Sequence, residues 1–141
     1  MQKKNTDDLK QEITKTTDLG RFLNENRDNF ISIDVSTALT RLYERQNLPK
    51  AQVARDAYIS EVYLHQLFSG KRKPSRNRLI CVCVTLGASL EEIQELLHHC
   101  CFAQLYAHNQ RDAIIMYGIV HTLSLQEINN ALFKEELESL F

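Results

Sequence analysis

The first sixteen residues are polar and show no hydrophobic period, so they read as a mobile arm. From Asp18 a short amphipathic stretch begins, with Leu19, Phe22 and Leu23 on one side, and ends near Asn29. The next helix is predicted from about Val35 to Gln46, where Val35, Leu39, Leu42 and Tyr43 recur at helical spacing and Asp34 or Ser36 serves as cap. A second, short helix follows Leu48-Pro49, because proline suits the first helical turn and Tyr58-Ile59-Ser60 starts a new element. Ser60 is a good N-cap for a third helix, Glu61 to Ser69, which Gly70 ends. The basic loop Lys71-Arg72-Lys73-Pro74-Ser75 comes next, kept from helix by its proline. A fourth helix covers about Arg76 to Leu86 and stops at Gly87, and the capping box Ser89-Leu90-Glu91-Glu92 opens a fifth, to about Cys101. Two more helices are predicted. One runs from about Asn109 to His121; the other opens on the capping box Ser124-Leu125-Gln126-Glu127 and carries Leu125, Ile128, Leu132, Phe133, Leu137 and Leu140 in one helical pattern.

One segment is apolar on more than one side. The expected core face of the fourth helix is Leu79, Val82, Cys83 and Leu86, yet Cys81 and Val84 lie off it. A helix apolar on both sides must be covered on both. The N-terminal helix with Leu19, Phe22 and Leu23, or the C-terminal tail, is the expected cover; a self-association surface is the alternative. Leu132-Phe133 with Leu137 to Phe141 is a second candidate for self-association.

Composition narrows the class. Of 141 residues, 43% are hydrophobic and 25% charged, the make-up of a folded globular chain. Four glycines and two prolines are too little turn chemistry for many short strands, so an all-α fold is expected. The start has no apolar core of a signal peptide. The longest mainly apolar run, Leu79 to Leu86, is far short of the roughly 20 residues that span a bilayer, so no membrane partner is expected. Cys81, Cys83, Cys100 and Cys101 do not make the disulfide framework of a small secreted domain, and a reduced cytoplasmic setting is the simplest reading.

The segment Lys50 to Leu67 has the parts of a helix-turn-helix: a short helix, a three- to four-residue turn and a second short helix. Two helices that cross closely need a small residue at the contact, and Ala54 supplies it. Val53, Ile59, Leu64 and Leu67 are then candidates for the core. Glu61, Val62, His65 and Gln66 fall on the outward side of the second helix, free to face a groove.

Leu48-Pro49-Lys50-Ala51-Gln52-Val53-Ala54, followed by Ile59-Ser60-Glu61-Val62-Tyr63-Leu64 and closing on Gly70-Lys71-Arg72-Lys73-Pro74-Ser75, resembles the XRE family of lambda-repressor-like helix-turn-helix regulators. The likeness covers roughly residues 33–100, continuing through Leu79, Val82, Leu86-Gly87 and Ser89-Leu90. Arg111-Asp112-Ala113-Ile114-Ile115 and Leu123-Ser124 also resemble an extension seen on some such regulators.

The resemblance implies a five-helix DNA-binding domain whose second motif helix enters the major groove by its N-terminal half. It implies base contacts from Glu61, Val62, His65 and Gln66: glutamine to adenine, glutamate to cytosine, valine to a thymine methyl. It implies phosphate contacts from Lys50, Ser60, Lys71, Arg72 and Lys73. Three positions depart from the family pattern. Pro49 replaces a capping serine, Tyr58 stands at the usual turn glycine, and Glu61 replaces a neutral or basic residue.

Net charge over the whole chain is −1, which on its own points to no polyanion. The regional count changes that. Residues 1–31 are net 0, residues 32–89 hold nine basic against four acidic side chains, and residues 90–141 hold two against eight. Five of the nine, Lys71, Arg72, Lys73, Arg76 and Arg78, fall within the eight positions from 71 to 78: the electrostatic footprint expected for phosphate contact.

His98-His99-Cys100-Cys101, with Cys81, Cys83 and His108, has zinc-ligand types but the wrong spacing, since adjacent helical residues point about 100° apart. No metal or other cofactor is expected. No phosphate-binding glycine loop and no nucleophile–base pair is visible, so no catalysis is expected either.

The expectation is therefore an arm and short helix over 1–31, an XRE-like helix-turn-helix domain over 32–101 and a helical extension over 102–141. The chain is read as a sequence-specific regulator of double-stranded DNA. It is expected to be a homodimer through the tail or the flank of the fourth and fifth helices, with a protein partner for the extension as a further possibility. The alternative is a protein-interaction adaptor or antitoxin-like module that kept the scaffold without reading DNA. Glu61, Tyr58 and the acidic tail favour it; the Lys71–Arg78 run opposes it.

Overall fold

A computed structural model describes residues 4–30 and 34–141; these are all-helical, joined by turns and short connections, with no strand among the described residues. The chain forms two compact units, Met1–Ser32 and Ile33–Phe141.

In the first unit, α1 (Thr6–Lys15) occupies the segment whose polar pattern predicts a mobile arm. None of its residues is buried, so hydrophobic periodicity had nothing to register. Caps and charges hold it instead. Asn5 accepts from the Asp8 N–H, Asp7 and Asp8 stand in the first turn, and Lys15 stands in the last, all complementing the helix dipole. α2 (Leu19–Glu25) buries Phe22, whose ring meets Phe30 edge-on at 6.1 Å. Asn26, fully buried, accepts from Lys4 Nζ and donates to Glu12, each at 2.8 Å. Lys4 also pairs with Glu12 directly, and the two partners hold the Glu12 carboxyl below its ordinary value.

The second unit carries α3 (Val35–Glu44), α4 (Lys50–Asp56), α5 (Glu61–Ser69), α6 (Arg76–Thr85), α7 (Leu90–His99), α8 (Gln110–Val120) and α9 (Leu125–Lys134). Six of these start on a side chain that accepts from the first turn: Asp34, Ser60, Ser75, Ser89, Asn109 and Ser124. α4 opens on Pro49, with no side-chain cap bond. The helix α6 is central. Leu79, Ile80, Cys81, Val82 and Cys83 are all buried in succession, and α4, α7 and α9 pack around it.

The tail supplies the second cover that the apolar pattern of α6 demands. Cys81 Sγ donates to the Leu140 carbonyl at 3.8 Å, and Leu140 is buried. The route differs from the predicted single helix reaching Leu140. α9 ends at Lys134, and residues 137–141 run on as a non-helical strap. Arg111 donates to the carbonyls of Glu138 (2.8 Å) and Ser139 (3.2 Å), and the Asn129 side chain accepts from the Leu140 N–H at 2.8 Å. Those polar tethers, invisible to a hydrophobic period, hold Glu138, Ser139 and Leu140 where helical bonds would otherwise have done so.

Six helix ends share one geometry. Tyr58, Gly70, Gly87, Cys101, Thr122 and Glu136 have positive φ. Each donates its N–H to the carbonyl three residues back, and the following residue donates to the carbonyl five back. Glycine marks only two of the six. The sequence pattern therefore locates the ends of α5 and α6 well but carries α7 on to Cys101 and α9 on to Leu140. Gly118 serves a different need. A Cβ there would stand 2.4 Å from Ile128 Cγ1, so α8 and α9 approach closely because that position has no side chain.

Candidate nucleic-acid interface

The expected helix-turn-helix is α4, a turn and α5. Val53, Ala54, Leu64 and Leu67 are buried, and Ile59 is half-buried. Burial of those positions leaves the opposite side of α5 outward. Glu61, Val62 and His65 are exposed there, Val62 at 66%, while Gln66 is half-buried at the edge of the same face.

Gln66 is already engaged. Its Oε1 accepts from Arg72 Nε at 2.9 Å. The Arg72 guanidinium also lies 5.0 Å from the centroid of the Tyr63 ring, and that of Arg78 lies 4.6 Å from it. Tyr63, only 8% exposed, is thus an aromatic plate that orients two guanidinium groups beside α5. Arg78 is the site residue that sequence reasoning counted as charge but gave no role. Its contact with Tyr63 joins positions fifteen apart, a relation no local spacing rule contains.

The other predicted contacts are placed as follows. Lys71 and Lys73 are exposed and make no ion pair among the described residues. Lys50 opens α4 with Nζ 5.8 Å from the rings of both Tyr43 and Phe68, which puts it by the last turn of α5. Ser60 Oγ accepts from the Tyr63 N–H at 3.0 Å as the α5 cap, and its hydroxyl proton remains for an acceptor.

Arg76 does not share this face. It donates to the Ala103 carbonyl at 2.8 Å and pairs with the buried Asp112 at 3.3 Å, tying α6 to the start of α8. Asp112 in turn accepts from the Tyr106 N–H at 3.1 Å. One of the five clustered basic residues is therefore an internal strut. Of the other four, Arg72 and Arg78 lie against Tyr63 of α5, while Lys71 and Lys73 are exposed on the loop that follows it.

Tyr58 stands in the turn with φ +59°, where a side chain is strained. Its ring stacks on Phe141, centroids 3.7 Å apart and planes within 7°, and its hydroxyl donates to Gln126 Oε1 at 3.2 Å.

Elsewhere the chemistry is quiet. All four cysteines are free; burial pushes the Cys81 thiol up to about 11 and Cys83 higher still. Among the described residues no three His, Cys, Asp or Glu side chains gather to hold a metal, and no helix is long and apolar enough to cross a membrane.

Residues 34–96 match a family model described as a helix-turn-helix domain. No curated protein and no solved structure matches the chain.

Proposed function

We propose that the chain is a sequence-specific regulator of double-stranded DNA, of the XRE kind, that acts by occupying its site and performs no chemistry. The observation that carries this is the outward face of α5, Glu61, Val62 and His65, with Arg72 and Arg78 set beside it on Tyr63 and Lys71 and Lys73 exposed on the loop that follows. A helix of that exposure fits the major groove, and the cations meet the phosphates that line it. Gln66 and Arg72 act as one unit: the carboxamide oxygen has two lone pairs, so it holds Arg72 and still accepts from an adenine amine. Lys50 and Ser60 contact phosphate at the ends of the motif.

The reading includes a cytoplasmic setting and a homodimer on a palindromic site. Because the chain's own strap takes one flank of α6, we assign the dimer contact to the outer side of α9, where Phe133 is 82% exposed. Sedimentation at tens of micromolar tests it, and a monomer there refutes the dimer.

Selection from random duplexes at low salt tests the whole reading. A motif is expected, and Gln66→Ala should relax it at one or two positions while Lys73→Gln weakens all sequences alike. If no motif emerges, the chain is the protein-interaction module instead.

A further inference from the structure

We infer that Tyr58 is a positioning residue for the DNA-facing helix, and that the strap Leu137–Phe141 holds it in place. The inference rests on the DNA reading above and extends it to the C-terminal helices.

Geometry makes Tyr58 the hinge of the motif. It is the left-handed residue that ends α4, donating its N–H to the Arg55 carbonyl at 3.2 Å, while Ile59 donates to Ala54 at 3.0 Å. Only Ile59 separates it from Ser60, the cap on which α5 starts. A change of φ at Tyr58 therefore swings the first turn of α5, which carries Glu61 and Val62. A tyrosine does not hold this conformation by itself, because its Cβ crowds the neighbouring carbonyl.

What holds it comes from 83 positions further along the chain, as the numbers of Tyr58 and Phe141 give. Phe141 lies flat on the Tyr58 ring, and Gln126, itself donating to Asn130 at 3.0 Å, receives the Tyr58 hydroxyl. Phe141 is in turn aimed by the strap. Arg111 grips the carbonyls of Glu138 and Ser139 and also donates to Asn77 on α6 at 3.1 Å, while Asn129 and Cys81 grip Leu140 from either side of its peptide. The extension thereby supplies by stacking what a glycine supplies by lacking a side chain.

The test is a two-variant cycle read in two ways: amide hydrogen exchange at Tyr58 and Ile59, and affinity for a duplex taken from the selection. Phe141→Ala removes the stack from a residue already 42% exposed, so the core is untouched. Exchange at both amides should quicken by about 3- to 10-fold, as expected for losing one aromatic pair, and duplex affinity should fall. Tyr58→Gly makes the left-handed turn intrinsic, so in the Tyr58→Gly background Phe141→Ala should change neither readout.

Unchanged exchange in Phe141→Ala, or an equal loss in the glycine background, overturns the inference. So does unaltered duplex affinity beside quickened exchange. A wild-type chain that binds no duplex overturns the DNA reading and the positioning role together, while the exchange pattern reports separately on the clamp.

Discussion

Replacing Lys71 and Lys73 by glutamine tests the proposed interface most sharply, because the structure divides the basic run into cations that face the solvent and one that does not. Each phosphate neutralised contributes about 0.9 to the slope of log affinity against log salt. With Lys71, Arg72, Lys73 and Arg78 each on a phosphate, one bound chain should give a slope of about −3.6. Raising salt from about 50 to 200 mM then weakens binding roughly 150-fold. With Lys71→Gln and Lys73→Gln together the slope falls to about −1.8, and the same salt step weakens binding only about 12-fold. Arg76→Gln is the internal control. Its guanidinium is committed to Ala103 and Asp112, so the slope should hold at its wild-type value. Stability should drop instead, by about 2 kcal/mol, since the buried Asp112 loses its cation. Fluorescence anisotropy on a labelled duplex at four salt concentrations, with a urea melt of each variant, reads both quantities. A double lysine variant that keeps the full slope refutes the docking face; an Arg76→Gln slope reduced by a full contact refutes the division of the run.

Three further outcomes follow from packing and backbone geometry. Gly118→Ala gains about 1 kcal/mol of helix preference but drives a methyl into Ile128, and overpacking of about 2 kcal/mol should prevail; a urea midpoint at or above wild type refutes the close approach. Thr122→Gly should raise stability by about 1 kcal/mol, because a β-branched residue is strained at its φ of +53°, and an unchanged midpoint would refute the strain. In folded protein at pH 8, iodoacetamide should modify the exposed Cys101 first. Cys81, at about 11, has roughly one thiolate in a thousand at that pH and should react only on unfolding, as peptide mapping would reveal. Equal labelling of Cys81 and Cys101 would contradict its burial.

Much of this fold was legible because its helix starts are spelled in single residues. Asp34, Ser60, Ser75, Ser89, Asn109 and Ser124 each cap the helix they precede, and a serine or aspartate before an apolar rhythm needs no tertiary context to be read. Helix ends were less legible away from glycine: α7 is carried on to Cys101 and α9 to Leu140, although α8 ends within a residue of the expected His121. Cys101, Thr122 and Glu136 take the same left-handed geometry as Gly70 and Gly87, with no chemical mark to distinguish them from mid-helix residues. The site divides in the same way. The exposed face Glu61, Val62 and His65 follows from helical spacing once Leu64 and Leu67 are assigned to the core. The Gln66–Arg72 bond, the two arginines on Tyr63 and the diversion of Arg76 to Asp112 join distant positions, and charge counting treats all five basic residues alike. Helix α1 was missed for the opposite reason. Its stability is polar and local, and a search for buried stripes passes over it.

The burial of Leu79 to Cys83, on every side of the middle of α6, bears on how the chain could be divided. A helix with a solvent side tolerates the gain or loss of neighbours, and modules built on one can be shuffled. Here Cys81 and Leu140 belong to one packed layer, and the strut from Arg76 to Asp112 crosses the same boundary. A segment carrying the motif alone would leave Cys81 facing water, where a polar residue would serve better. Cutting the chain between α7 and α8 would therefore expose Cys81 and orphan the buried Asp112 at once, so neither half can be exchanged without leaving an apolar or charged surface uncovered on the other.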